Sequence, residues 1–248
     1  MRNVSGLSGT ATAVHSTNPA PGIVAFRSAK RTPPPNTTRV PRICQRPSGE
    51  TAVNPIRELE ELAALFPEPA TAPLYLRAEH VAKEATPEPY HHMLVHEHHM
   101  TISMEEWHVC RVDVDVLASR FENGLYLRKI VLRKSGTDQP VQFGYVRFNL
   151  DLVTPAVRAE ILEEKVPLGR VLIQHNVFRH VDLGAILRFT AGPALAAYLK
   201  MPVSEITYGR LATIFCNGTP AIDLLEISAP LSPPRGEGSG VRGQSTPH

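Results

Sequence analysis

Two charged residues stand on strand faces that are otherwise apolar. In residues 125–133 (LYLRKIVLR) one face reads Tyr126, Arg128, Ile130, Leu132, and in residues 221–228 (AIDLLEIS) one face reads Ile222, Leu224, Glu226, Ser228. Side chains alternate along a strand, so each charge is carried into an apolar surface. A lone buried guanidinium or carboxylate is costly unless it meets a group of opposite sign. Either the two pair with each other or with other core charges as structural ions, or they meet a ligand. In the second case Arg128 offers a planar fork that matches a carboxylate. Burial of Glu226 disfavours its ionised form and suits it to proton donation.

The histidines are the other conspicuous group. His91, His92, His96, His98 and His99 fall within nine residues and flank Glu97. Neutral imidazole is a common metal ligand, and His96, His98 and His99 form the candidate set. The run has no HExxH spacing and no cysteine partner, so the spacing predicts loop or pocket-rim imidazoles and no metal site. A Ser/His/Asp triad lacks the GxSxG elbow, and no glycine-rich phosphate loop is present. Trp107, the single tryptophan, reads as packing at a strand start.

The elements that must position these groups are partly legible. Val112, Val114 and Val116 alternate with Arg111, Asp113 and Asp115, which predicts a strand with one wet face. Residues 125–133, the Ser135-Gly136 turn and residues 141–150 predict one hairpin. Residues 206–215, Asn217-Gly218 and residues 221–228 predict a second, since Asn-Gly favours a tight two-residue turn. Asn54-Pro55 reads as a cap and first turn for a helix through Leu65, and 157–164 as a short amphipathic helix. Pro167-Leu168-Gly169 opens another helical or turn segment. Residues 183–200, capped by Asp182, read as a longer helix kinked at Gly192-Pro193. Hairpins with helices between them predict an α+β domain with a single antiparallel sheet covered by helices.

Charge divides the 248 residues unevenly. Residues 1–54 carry seven basic groups against one acidic, a net of +6, and residues 55–230 carry 17 against 22, a net of −5. The acidic balance of the part that can fold argues against a nucleic-acid-binding face. Residues 1–54 and 231–248 are rich in Pro, Ser, Thr or Gly without hydrophobic periodicity, which predicts a disordered N-terminal extension and a disordered C-terminal tail around a 55–230 domain. An Arg-rich, acid-poor leader is also compatible with an organellar transit peptide. No apolar run reaches the length of a membrane span. Cys44, Cys110 and Cys216 are too scattered for a disulfide framework or structural zinc, which fits a reducing cytoplasm.

Four runs in order carry a family likeness: LVHEHHMT (94–101), LYLRKI (125–130), VPLGRVL (166–172) and YGR…CNGTPAIDLLEI (208–227). Over roughly residues 60–230 the chain resembles the chorismate lyase superfamily, closer to its LVH…HMT branch than to the short proteobacterial enzyme. The resemblance implies an antiparallel sheet of about six strands, helices over one side, and a ligand enclosed beneath helical flaps. It implies removal of pyruvate from chorismate to leave 4-hydroxybenzoate, a carbon–oxygen lyase reaction, with no cofactor. It places ligand binding on Met100 and Thr101 of the MT pair, the carboxylate anchor on Arg128, a backbone contact on Leu168, and the closing acid on Glu226. Arg128 and Glu226 are then the catalytic pair. The Asn-Gly turn lies one residue further from Glu226 than in the proteobacterial enzyme, and the histidine loop is absent there.

The implied partners are chorismate and its product, with no nucleic acid and no membrane span, in a monomer or weak oligomer. Two other readings stand beside this one. The same fold serves as the small-molecule-binding effector domain of some bacterial transcription regulators, although residues 1–54 are short and proline-rich for a DNA-binding module. A different chorismate-processing enzyme, or a metal-dependent one using the histidines, is the other.

Overall fold

The computed structural model describes residues 54–231. The extensions expected over 1–54 and 231–248 lie outside the described residues, apart from Asn54 and Leu231. One sheet of seven strands organises the rest: β1 (Tyr75–Val81), β2 (Val112–Glu122), β3 (Leu125–Lys134), β4 (Pro140–Phe148), β5 (Arg179–Ala191), β6 (Ile206–Cys216) and β7 (Thr219–Ser228). The order across it is β1-β5-β6-β7-β4-β3-β2, and every neighbouring pair is antiparallel. The fold is α+β, as the hairpins predict.

Two Asn-Gly turns close hairpins. Asn217 and Gly218 join β6 to β7 with φ of 52° and 78°, and Asn123 and Gly124 join β2 to β3 with φ of 51° and 79°. Both positions need the left-handed backbone that Asn and Gly tolerate best.

Six helices cover the sheet: α1 (Pro55–Ala63), α2 (Tyr90–Leu94), α3 (Met100–His108), α4 (Pro155–Leu162), α5 (Leu168–Gln174) and α6 (Pro193–Leu199). Asn54 caps α1 through its side chain, which accepts from the Ile56 N–H, and Thr154 caps α4 by accepting from the Val157 N–H. No described helix is long and apolar enough to cross a membrane.

The strand count and the 183–200 segment correct the sequence reading. Residues 179–191 form a strand, Asp182 pairs with Thr213 inside it, and the only helical part is α6 after Gly192. The run misleads because it sends buried apolar side chains to both faces, Leu187 and Phe189 to one and Leu183 and Ile186 to the other, and such a stretch reads equally as helix or strand. A bulge between Leu183 and Ala185 also breaks its alternation. The seventh strand, β1, is an edge strand in which Arg77, Glu79 and His80 interrupt the apolar residues, so it lacks a strong signal. Trp107 sits on α3 rather than at a strand start.

Helices lie on both faces, not one. Against the first face α1 and α6 pack Leu59, Leu62 and Leu195 onto Leu127, Phe143, Leu187 and Leu225. Leu59 and Leu62 are fully buried, each worth on the order of 1.5–3 kcal/mol. The second face is shared. There α4 and α5 set Val157, Ile161 and Leu172 over Tyr126, Val146 and Leu224. Beside them α2 and α3 set Met93, Leu94 and Met104 over Ile130, Leu132 and Ile186. The seam between these helix pairs runs over the middle strands, and the candidate site lies beneath it.

Candidate functional site

The sheet register brings the strand charges to this seam. Directly paired residues in antiparallel strands share a face. Arg128 is opposite Val146, which is opposite Leu224. The next row reads Ile130, Gly144, Glu226, Arg210, and the row beyond pairs Leu132 with Gln142 and Gln142 with Ser228. Gly144 therefore leaves a gap between Ile130 and Glu226. A Cβ there would meet the Leu225 carbonyl oxygen at 3.0 Å, so the floor of the site is bare backbone.

Above this floor the N-terminal turns of α3 and α5 meet. A Cβ on Gly169 would come within 3.0 Å of Thr101 Oγ1 and 3.2 Å of His99 Cβ, so glycine permits the close approach. The cavity between floor and helices is about 30 Å³. Met100, Thr101, Arg128, Leu168 and Glu226, drawn from four separate sequence segments, all line it, together with His99, Gln142 and Gly144.

Arg128 is fully buried, and none of its three guanidinium nitrogens has a hydrogen-bond partner. The neighbouring Tyr126 hydroxyl donates instead to Glu164 Oε1 at 2.6 Å. Burial lowers the Arg128 pKa, with Tyr126 and Glu164 opposing, yet a guanidinium is effectively always protonated. Arg128 is thus a desolvated cation facing the cavity, with the Tyr126 hydroxyl as a polar neighbour and no carboxylate hydrogen-bonded to it. Tyr126 in turn is raised to about 12, by burial first and then by Glu164.

Glu226 is not the lone carboxylate of the sequence reading, and it does not pair with Arg128. Arg210 Nε donates to Glu226 Oε2 at 2.8 Å, and Gln142 Nε2 donates to Oε1 at 3.5 Å. Arg210 is buried and its other nitrogens reach the histidine loop, donating to the carbonyls of His96 and His98, each at 2.9 Å, and to His96 Nδ1 at 3.2 Å. Because Gln142 turns its amide nitrogen to the carboxylate, its Oε1 is left buried without a partner. The cavity thus holds one unpartnered cation and one unpartnered acceptor. Sequence reasoning missed Arg210 and Gln142. Arg210 lies within the YGR run, and its place opposite Glu226 follows once the β6–β7 register is known.

His96 and His98 stack with ring centroids 5.3 Å apart, but no cluster of three metal-ligating side chains occurs among the described residues. His96 donates from Nε2 to the Met93 carbonyl at 2.7 Å, which fixes its tautomer. His99 accepts at Nε2 from Arg179 Nε at 2.6 Å, so its proton sits on Nδ1. Burial first, then Arg179 and Arg210, lowers the His99 pKa to about 4. His99 is therefore a neutral imidazole in the cavity wall.

No family profile and no curated protein matches the sequence. Solved structures give distant likenesses. The effector domain of PhnF from Mycobacterium smegmatis is 10% identical, covering 53% of this chain and 88% of that one, with a TM-score of 0.40. Gene product SA0254 from Staphylococcus aureus is 9% identical over 48% of this chain and 82% of that one, TM-score 0.38. A GntR-family transcriptional regulator from Bacillus cereus is 8% identical over 48% and 92%, TM-score 0.35. Likeness at this level carries no argument about what this chain binds or does.

Proposed function

We propose that the seam cavity binds a small hydroxylated ring carboxylate and that the protein is a chorismate pyruvate-lyase, a carbon–oxygen lyase that leaves 4-hydroxybenzoate. The observation that carries the reading is the fully buried Arg128 guanidinium without a partner. Such a charge is tolerated where an anion completes it, and a bidentate carboxylate fits its geometry. Gln142 Oε1 supplies the complementary acceptor for a ring hydroxyl. Along β4 the Arg128 and Gln142 rows are four residues apart, about 13 Å, which the inward reach of both side chains reduces to the span of a ring with para substituents. The ring would lie over Gly144.

The reaction breaks the ether bond between ring carbon and enol oxygen. Its electron pair leaves with enolpyruvate, the adjacent ring carbon loses its proton, and aromatisation drives both events. Enolpyruvate then tautomerises to pyruvate. Arg128 would hold and orient the ring carboxylate. Glu226, bridged to Arg210, is better suited to accept the ring proton than to act as the acid expected from a solitary carboxylate. A benzene-sized guest occupies about 150 Å³, so α3 and α5 must part for entry and exit. Release from beneath them would then limit turnover.

The Glu226–Arg210 ion pair also favours a second reading, a non-catalytic effector-type domain that only binds the carboxylate, since a saturated carboxylate is a good positioning group. Incubation with chorismate and identification of products separates the two. Pyruvate with 4-hydroxybenzoate supports the lyase, and calorimetric binding of 4-hydroxybenzoate without turnover supports the effector reading. Absence of both binding and turnover overturns the site.

A further inference from the structure

We propose that Glu164, acting through the Tyr126 hydroxyl, sets how tightly Arg128 holds a carboxylate: it supports the guanidinium while the cavity is empty and loosens the anion once it is bound. The inference rests on the reading of Arg128 as a carboxylate anchor and adds the two positioning residues that tune it.

Tyr126 and Arg128 lie two residues apart in β3 and so project from the same face of the strand. Tyr126 is buried, and its hydroxyl donates to Glu164 Oε1 at 2.6 Å. With that proton committed to the carboxylate, the phenolic oxygen keeps only lone pairs for its other neighbours, and Arg128 is the cation beside it. Burial is the main influence against the Arg128 charge, and the groups that oppose it are Tyr126 first and Glu164 after it. The hydroxyl keeps its proton at any ordinary pH, since burial and Glu164 hold its pKa up at about 12. Guanidinium, hydroxyl and carboxylate thus form a series that ends on Glu164.

The backbone at Glu164 agrees with this role. Glu164 follows the last turn of α4 with φ of 59°, in the left-handed region where glycine is the usual residue. A glutamate adopts that conformation at a cost, and its side chain offers what glycine lacks, the bond to Tyr126. The adjacent Lys165 bonds Glu163 instead, and no lysine or arginine forms an ion pair with Glu164 among the described residues. Its negative charge is therefore left to act on the Tyr126–Arg128 side.

A ligand carboxylate on Arg128 changes the balance. Two anions then share one buried cation, and repulsion between charges is screened less in a desolvated site than in water. Glu164 lowers the affinity for a carboxylate and leaves an uncharged ligand of the same shape unaffected. A product held beneath α3 and α5 leaves faster for that repulsion.

Calorimetry on the full chain with 4-hydroxybenzoate and its uncharged isostere 4-hydroxybenzamide reads the effect. Glu164→Gln keeps an acceptor for the tyrosine hydroxyl and removes the charge. It should bind 4-hydroxybenzoate about tenfold more tightly than wild type does. Its affinity for 4-hydroxybenzamide should stay within about threefold of wild type, which also shows that the variant is folded. Tyr126→Phe removes the bridge, so adding Glu164→Gln to it should change 4-hydroxybenzoate affinity by less than about threefold. Unchanged or weaker 4-hydroxybenzoate binding by Glu164→Gln overturns the proposal, and so does an equal gain for the two ligands. A full tenfold gain in the Tyr126→Phe background, roughly that of the single variant, also overturns it, because the charge would then act without the hydroxyl. Failure of wild type to bind 4-hydroxybenzoate is a different result: it overturns the Arg128 reading itself, and this proposal falls with it.

Discussion

Arg210 binds Glu226 across the β6–β7 ladder, with Nε 2.8 Å from Oε2, and the same guanidinium holds the carbonyls of His96 and His98. The carboxylate in the cavity is therefore coupled through one side chain to the loop that leads into α3. The carboxylate and the loop that it joins lie more than a hundred residues apart in sequence. A change at Glu226 should be felt at the cavity lid as well as at the floor.

Glu226→Gln should destabilise the protein. The amide leaves Arg210 buried without a counter-charge, and breaking a buried pair from one side costs on the order of 3 kcal/mol. The double variant Glu226→Leu with Arg210→Met should recover most of that loss, since neither charge then remains. Urea midpoints of wild type and the two variants check this. A Glu226→Gln midpoint equal to wild type would show that the pair contributes nothing.

Arg128 should behave in the opposite way. Arg128→Met removes a desolvated cation that has no partner, so the ligand-free protein should gain on the order of 1–4 kcal/mol. Binding of 4-hydroxybenzoate should weaken about 100-fold, the equivalent of roughly 3 kcal/mol. Thermal melts with and without 4-hydroxybenzoate read both effects. A variant that melts lower and binds as tightly as wild type would make Arg128 structural.

The sequence shows that Arg128 and Glu226 lie on apolar strand faces because alternation is a local property, readable within eight residues. What each charge meets is non-local. The partner of Glu226 depends on the β6–β7 register, and the freedom of Arg128 depends on the absence of any carboxylate opposite it in β4. Gln142 gives no signal of its own, because a glutamine at a strand start is ordinary until Glu226 claims its amide nitrogen. The hairpins were legible through their Asn-Gly and Ser-Gly turns. Strand β5 was not, since it sends apolar side chains to both faces, Leu187 and Phe189 to one and Leu183 and Ile186 to the other, and its bulge disguises the period of two.

Gln142→Leu should change selectivity more than affinity. Wild type should prefer 4-hydroxybenzoate over benzoate by about tenfold, the worth of one buried hydrogen bond to a waiting acceptor. In the leucine variant the preference should fall to near unity while benzoate binds at least as well. Competition binding with the two acids is sufficient. An unchanged preference would place the ring hydroxyl elsewhere in the cavity.

His99 ties stability to acidity. Its pKa is about 4 in the folded protein against an ordinary 6.5, with burial the main cause and Arg179 next. Between those values the unfolded chain holds the proton and the folded one does not, so stability is complete above pH 6.5 and falls as the pH drops towards 4. The slope from this group is at most about 1.4 kcal/mol per pH unit. His96 and His108 are lowered in the same direction and steepen the fall. In His99→Gln the site no longer titrates, so the loss of stability between pH 6.5 and pH 4.5 should be smaller than in wild type. Urea denaturation at the two pH values gives the comparison, and an identical loss in both proteins would mean that His99 carries its proton in the folded state.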